Sequence, residues 1–304
     1  MDIRKLELFC KVVELKSFTM AGKACFLSQP TVSEHVRELE SSLNQKLLNR
    51  LNQNVQPTPA GKLLYEYGCR ILQIRQEAIK AIEQFGGKLV GRLTIGCGTI
   101  PGTYILPPLL SNFRNQYPEI KITLQIANSQ SIARKIMNKK LDLGVIGAKW
   151  KETGLEWTEV FKDELGLVVS HEHPWRGKKS VTCNDIIKQP FIIREPGSGT
   201  RKVIARFLKT RGIKESDLKE VAQIGSSAAV KEAVKSGCGI SILSKQAVKD
   251  EIECNKLAIV PVKNLKLHRS FYLIQRKNTQ LLPIVKTFKN YLLKQASGIS
   301  KRSI

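Results

Sequence analysis

Acidic residues are scarce in this sequence: 26 Asp and Glu stand against 50 Lys and Arg, a formal net charge of +24 over 304 residues. Such an excess directs attention to polyanions, whether nucleic acid, an anionic membrane surface or small anionic ligands. Long apolar runs are lacking too. No window approaches the roughly 20 apolar residues a membrane helix needs, and the opening MDIRKLELFCKVVELK alternates charged and apolar residues at helical spacing, unlike a secretory leader. Paired cysteines are missing: Cys10, Cys25, Cys69, Cys97, Cys183, Cys238 and Cys254 form no Cys-x-x-Cys and no tight cluster. That disfavours a disulfide scaffold or a structural zinc site and fits a reducing compartment. The expectation is a cytoplasmic protein with no metal and no cofactor. What is present is ordinary for a globular chain of two or three domains, with 42% hydrophobic and 25% charged residues.

The chain divides by texture. Up to about residue 87 apolar residues recur three and four apart; from Gly91 short β-branched runs alternate with helical segments, the pattern of an α/β domain. The break falls at Gly86, Gly87 and Gly91. There is no internal repeat and no low-complexity tract.

The first sixty residues predict three short helices. Leu6, Phe9, Val12 and Val13 form one stripe, and Ala21, Ala24, Cys25 and Leu27 another. Ser28 is a candidate N-cap with Pro30 in the first turn, where its missing N–H costs nothing. On the helix it opens, SQPTVSEHVRELE, Val32, Val36, Leu39 and Leu43 define a buried face, and a turn of about 100° per residue puts Pro30, Ser33, Glu34 and Arg37 on the other side. Read alone, such a helix is a solvated surface. Its neighbours argue otherwise: QKLLNRLNQNVQP is a polar hairpin, a wing with Lys46, Arg50, Asn52, Gln53 and Asn54 near its tip, suited to phosphate or minor-groove contacts. Candidate DNA-binding residues are Phe18, Thr19, Ser28, Gln29, Pro30, Thr31, Ser33, Glu34, Arg37, Arg50 and Asn52. Only one arginine lies on the reading helix, but base edges are read by hydrogen bonds more than by net charge. Glu34 either accepts from a cytosine amine or holds Arg37 three residues on.

Thr58-Pro59 then opens a long helix in which Leu64, Tyr67, Ile71, Ile74, Ala78, Ala81 and Phe85 recur as a heptad seam. Packing on its own domain is one reading. The other is dimerisation through Leu64, Tyr67, Ile71, Ile74 and Ala78, which would place two reading helices on two half-sites.

The stretch from Ile3 to Gly61, above all ELFCKVVELKSFTMAGKACFLSQPTVSEHVRELESSLNQKLLNR and PTPAG, resembles the DNA-binding domain of LysR-type transcriptional regulators. RLTIGCGTIPGTYILPPLL, LDLGVIGA, PFIIREPGSGTR, AVKEAVKSGCGISILS and RSFYLIQR extend the resemblance over nearly the whole chain. It implies an α+β multi-domain protein: a winged helix-turn-helix (1–58), a linker helix (59–87) and a two-lobed effector domain like the periplasmic binding proteins (91–304). Lobe I would take 91–165 and 270–304, lobe II 166–269. Promoter DNA, a small anionic effector, RNA polymerase and a homodimer or homotetramer are the implied partners. Gly22 and Cys25 stand where the family usually has alanine and leucine, and Glu34-His35 replace a common Arg-Gln pair. Gly22 inside a helix is expected to cost about 1 kcal/mol. The REPGSGTR texture resembles regulators of carbon-fixation and sulfur genes, and the whole chain is similar to selenium-metabolism-associated LysR regulators.

Strand-to-helix junctions supply amides and hydroxyls for anions. Four stand out: Thr99-Ile100, Asn128-Ser129, Gly197-Ser198-Gly199-Thr200 and Gly225-Ser226-Ser227, with Arg194 and Arg201 beside the third. Each alone is as readily a simple cap. The candidate effector set is Thr99, Ile100, Ser129, Arg194, Ser198, Gly199, Thr200 and Ser226, with Thr99 and Ser129 matching first-lobe contacts and Thr200 second-lobe contacts of the family. Three decoys fall away. Gly96-Cys97-Gly98 lacks the third glycine and the later acid of a dinucleotide fingerprint. His171-x-His173 has no companions for a metal, and Ser198 lacks the frame of a nucleophile elbow. Nothing supports catalysis; the competing reading is a solute-binding protein or enzyme sharing only the α/β domain.

Up to residue 90 there are 13 Lys and Arg against 9 Asp and Glu, so most of the positive excess lies outside the reading head. A basic surface that aids DNA approach and a merely lysine-rich composition both account for it.

Overall fold

The computed structural model describes residues 2–51, 54–83, 89–264 and 267–300. The chain separates into two compact units, Met1–Gly87 and Lys88–Ile304.

In the first unit α1 (Ile3–Leu15), α2 (Phe18–Cys25) and α3 (Gln29–Leu43) are followed by a hairpin of β1 (Leu48–Leu51) and β2 (Asn54–Pro57) and by α4 (Pro59–Glu83). Side-chain caps set the starts: Asp2 accepts from the amides of Arg4 and Lys5, Ser17 from Met20 and Ser28 from Thr31. Leu6, Leu8, Phe9, Val12, Ala21, Val32, Val36 and Leu39 are fully buried together. Gly22 is not the weakness its helix propensity suggests. A Cβ there would lie 2.7 Å from the Leu27 carbonyl oxygen, so the turn between α2 and α3 closes tightly because position 22 has no side chain.

The hairpin is tied to α3 by Glu40, whose buried carboxylate accepts from the amides of Leu47 (2.8 Å) and Leu48 (3.1 Å). At the start of α4 the Thr58 hydroxyl accepts from Gly61 N at 3.0 Å. The heptad seam resolves into two faces. Leu64 and Ile71, with Tyr65 and Leu72, pack on the domain's own core, whereas Tyr67, Ile74 and Ala78 are exposed together with Leu63 and Ile82. The domain covers one side of the first turns of α4, and a stripe of period near 3.5 drifts off that side along a helix of period 3.6.

The second unit runs β3 (Gly91–Cys97), a π-helical turn (Pro101–Ile105), α5 (Leu106–Gln116), β4 (Ile120–Ile126), α6 (Ser129–Met137), β5 (Leu143–Ile146) and β6 (Leu155–Ser170). Then come α7 (Cys183–Ile186), β7 (Pro190–Arg194), α8 (Gly199–Thr210), β8 (Lys219–Ile224), α9 (Ser227–Lys235), β9 (Ser241–Ser244), α10 (Lys249–Glu253), β10 (Leu257–Val260), β11 (Leu267–Arg276) and α11 (Pro283–Ser300). One sheet has the order β10-β6-β11-β5-β3-β4, with β9 also on β6, and β7 pairs β8 in parallel beside it.

Two apolar cores define two lobes. Leu93, Ile95, Phe113, Leu143, Phe271, Phe288 and Leu292 belong to one; Leu167, Phe191, Ile193, Ile204, Ile240 and Ile242 belong to the other. The crossings lie within continuous strands. β6 pairs with β11 over Leu155–Leu165 and with β9 and β10 over Leu165–Ser170, so one strand carries the sheet from lobe to lobe. Parallel strands with helices on their faces bring strand C-terminal ends and helix N-termini to one edge, where such folds bind ligands.

Candidate nucleic-acid interface and effector cleft

On α3 the exposed residues include Gln29, Pro30, Glu34 and Arg37; Ser28 and Thr19 are exposed beside them, and Thr31 and Phe18 are half-buried. Ser33 departs from expectation. It is 9% exposed, because it sits at the edge of the packed arc, roughly 20° around the helix from Glu40. Leu43, expected inside, is 37% exposed since it ends the helix, past the domain core. Among the described residues no ion pair joins Glu34 to Arg37, which leaves both open to a ligand. Glu38 is engaged otherwise: the Lys5 ammonium, 2.8 Å away, holds its carboxyl below the usual carboxylate range. Arg37 and Lys46 line a surface hollow of about 240 Å³ between α3 and the wing. Arg50 lies on β1, while Asn52 and Gln53 at the wing tip fall outside the described residues. Phe26, 95% exposed in the left-handed conformation at the turn before α3, was invisible to apolar periodicity.

In the second unit, Thr99, Ile100, Ser129, Arg194, Ser198, Gly199 and Thr200 line one cavity between the lobes, joined by Gly98, Asn128, Gly147, Arg269 and Phe271. The N-termini of α6 and α8 and the π-helical turn converge there. Asn128 caps α6, its side-chain oxygen accepting from Ser131 N at 2.9 Å, and Ser198 caps α8, accepting from Arg201 N at 3.4 Å. Gly199 is required by close approach: a Cβ there would lie 2.9 Å from the Ser129 oxygen.

Both arginines at the cavity are buried, Arg194 at 2% and Arg269 at 7% exposure. Arg194 Nε donates to Glu195 at 2.8 Å, and its Nη1 reaches the hydroxyls of Thr99 (3.3 Å) and Ser227. Thr99 and Ser227 share a further bond of 3.0 Å. Ser226 does not line the cavity; its neighbour Ser227 is the buried residue that reaches Arg194. Arg201 serves as a brace, donating to the Arg194 carbonyl (2.9 Å) and to Glu215.

Arg269 and Asp163 were missed by the sequence reading. Arg269 Nε donates to Asp163 at 2.7 Å and Nη1 to the Thr200 hydroxyl at 2.9 Å, while Ser244 donates to the other Asp163 oxygen at 2.7 Å. Burial pulls the Arg269 pKa down, Asp163 opposes that, and the Arg194 charge adds to it. Two guanidinium groups, each already paired with a carboxylate, the hydroxyls of Thr99, Ser129, Ser198 and Thr200 and the converging helix N-termini are groups of the kind that hydrogen-bond oxyanions. The free space inside is only ≈ 10 Å³, about enough for one water. A larger anion does not fit the space as it stands. The Gln130 amide of lobe I already donates to the Gly197 carbonyl of lobe II at 3.1 Å.

Comparison with known proteins decides what this pairing is. Residues 3–62 match the bacterial regulatory helix-turn-helix of the lysR family, and residues 86–297 match the LysR substrate binding domain. The chain belongs to the LysR-type transcriptional regulators. Such a regulator binds DNA and responds to a ligand, and the helix-turn-helix removes the reading of a chain that only borrows the α/β domain. Its relatives are regulators, not enzymes. It is 34% identical to a probable RuBisCO transcriptional regulator of Cyanidium caldarium, covering 91% of this chain and 88% of that one. It is 30% identical to the HTH-type transcriptional regulator CysL of Bacillus subtilis, over 94% and 92%. The regulatory domain of Synechocystis PCC6803 CcmR in complex with 2-PG superposes with a TM-score of 0.63 at 28% identity, covering 68% of this chain and 97% of that one. Full-length CbnR with its target DNA, 21% identical, shares the fold at a TM-score of 0.70 over 97% and 100%.

In this LysR-type regulator, breaking the buried Arg269–Asp163 pair strands a charge. Asp163→Ala is expected to lower unfolding free energy by about 3–5 kcal/mol, and Asp163→Leu with Arg269→Met to recover most of it, measured by denaturant unfolding of the full chain. An Asp163→Ala protein as stable as the parent would contradict the assignment.

Proposed function

We propose that this regulator reads promoter DNA with Gln29, Pro30, Glu34 and Arg37, with Thr19, Ser28 and Thr31 beside them, and that its DNA affinity answers to a small oxyanion held between the lobes. Phe18, Arg50 and Asn52 complete the proposed contact set. The observation that carries the reading is that Arg194, bonded to Thr99 and Ser227, lines one cavity together with Thr200 and Arg269. The similarity to the regulatory domain of CcmR, solved in complex with 2-PG, supports a small ligand in this domain, and an oxyanion of sulfur, selenium or phosphorus is the ligand proposed. RNA polymerase and a cytoplasmic location complete the proposal.

A thermal-shift series over sulfate, sulfite, selenite, selenate, phosphate and 2-PG tests it. The cognate anion at a hundredfold over Kd adds about 2.7 kcal/mol, raising Tm by roughly 5–10 °C for a domain of this size. Thr99→Ala should remove most of that rise. No shift with any of the six would sink the oxyanion reading.

The exposed face of α4, with Leu63, Tyr67, Ile74, Ala78 and Ile82, is proposed to seat a second copy, since apolar residues in a heptad stripe seek a partner helix. Ile74→Lys should then run as a smaller species in gel filtration with its melting temperature in dilute solution little changed. Ile71→Lys, which packs inward, should instead cost roughly 1–3 kcal/mol of stability. An Ile74→Lys protein that elutes with the parent refutes this use of the face.

A further inference from the structure

Behind the anion cavity lies a larger one of ≈ 440 Å³ that shares Gly147 and Arg269 with it. Its walls come from both lobes. Lobe I contributes Lys149 and Tyr272, and α8 of lobe II contributes Lys202, Val203, Arg206 and Lys209. Positions 202, 206 and 209 fall at steps of four and three, on one stripe of α8. The opposite stripe of that helix, Ile204 and Leu208, is the one buried in the lobe core. The basic stripe therefore owes nothing to packing.

A solvated face is the ordinary fate of such lysines in a basic chain. Three observations set this one apart. Among the described residues none of Lys149, Lys202, Arg206 and Lys209 forms an ion pair with a carboxylate. Lys202 lies over the Trp150 ring at 4.1 Å and Lys149 over Tyr272 at 4.8 Å, so aromatic surface is gathered where the cations are. The volume lies within the roughly 300–1,000 Å³ of small-molecule sites, unlike the water-sized space in front.

We propose that this cavity is a second ligand site, for an organic polyanion with an apolar body such as an aryl phosphate. The charge is met by Lys202, Arg206 and Lys209, and the body lies against Val203 and Tyr272. Because the walls belong to both lobes, an occupant holds α8 against lobe I, and α8 is the helix whose N-terminus forms part of the anion cavity. Binding at the two sites is then coupled with one sign in both directions.

Calorimetric titration of the full chain with 1-naphthyl phosphate, 1-naphthol and inorganic phosphate tests this. The aryl phosphate is expected to bind well ahead of the other two, which lack the charge or the body. Arg206→Glu with Lys209→Glu should weaken it about tenfold or more by like-charge repulsion. Both side chains are exposed, so the melting temperature should hold. Thr99→Ala, in the anion cavity, should leave aryl phosphate affinity within about twofold. No binding, equal binding of 1-naphthol or of phosphate, or a loss confined to Thr99→Ala would each overturn the proposal. So would a double reversal that lowers DNA affinity yet spares the aryl phosphate, which would assign the basic stripe to DNA.

Discussion

The effector domain depends on one buried ion pair. Arg269 and Asp163 sit on adjacent strands at the place where the sheet passes from lobe to lobe, paired directly in register. A charge withdrawn from water there is tolerable only because its partner is withdrawn with it, with Ser244 bonded to Asp163 on one side and Thr200 to Arg269 on the other; Arg269 Nη2 lies 2.6 Å from Asp163 but makes no hydrogen bond. Thr200 belongs to lobe II and stands at the first turn of α8. The pair therefore fixes the strand crossing, the start of α8 and one wall of the anion cavity together.

The reading head solves its charge problem differently. α3 presents few cations, and on the proposed reading its contacts are divided among short polar side chains; the acidic residues next to them are committed elsewhere: Glu38 to Lys5, Glu40 to the wing amides. Glu34 alone remains uncommitted among the described acids of that helix. An acid open to the groove favours a cytosine amine over a guanine edge.

Much of this was legible in the sequence, for local reasons. Caps at Ser28 and Thr58, the change of period at Gly91 and the hydroxyl-bearing junctions at Thr99, Ser129 and Ser198 are encoded within a few residues of where they act. What was not legible is encoded at a distance. Arg269 and Asp163 are 106 positions apart, and no local pattern pairs them. A signal was nevertheless present: Leu267, Arg269, Phe271 and Leu273 share the inward phase of one strand, and Phe161, Asp163, Leu165 and Leu167 that of another. A charge in an otherwise apolar inward row is costly enough to demand a partner. Ser33 failed for a finer reason, lying where a helical wheel divides packed from open positions. The α4 seam divides between two faces, and a heptad list cannot say which of the two surfaces each residue meets.

The central claim is that an oxyanion held by Arg194 between the lobes alters DNA binding by the other unit. Fluorescence anisotropy on DNA from upstream of its own gene, titrated with the anion that most raises Tm, tests it most directly. The account predicts that the anion shifts the DNA midpoint by about fivefold or more, the low end of common allosteric coupling. It also predicts that Arg194→Met abolishes this shift while leaving anion-free affinity unchanged. A shift that survives Arg194→Met, or a DNA midpoint indifferent to the anion in the parent protein, would contradict it.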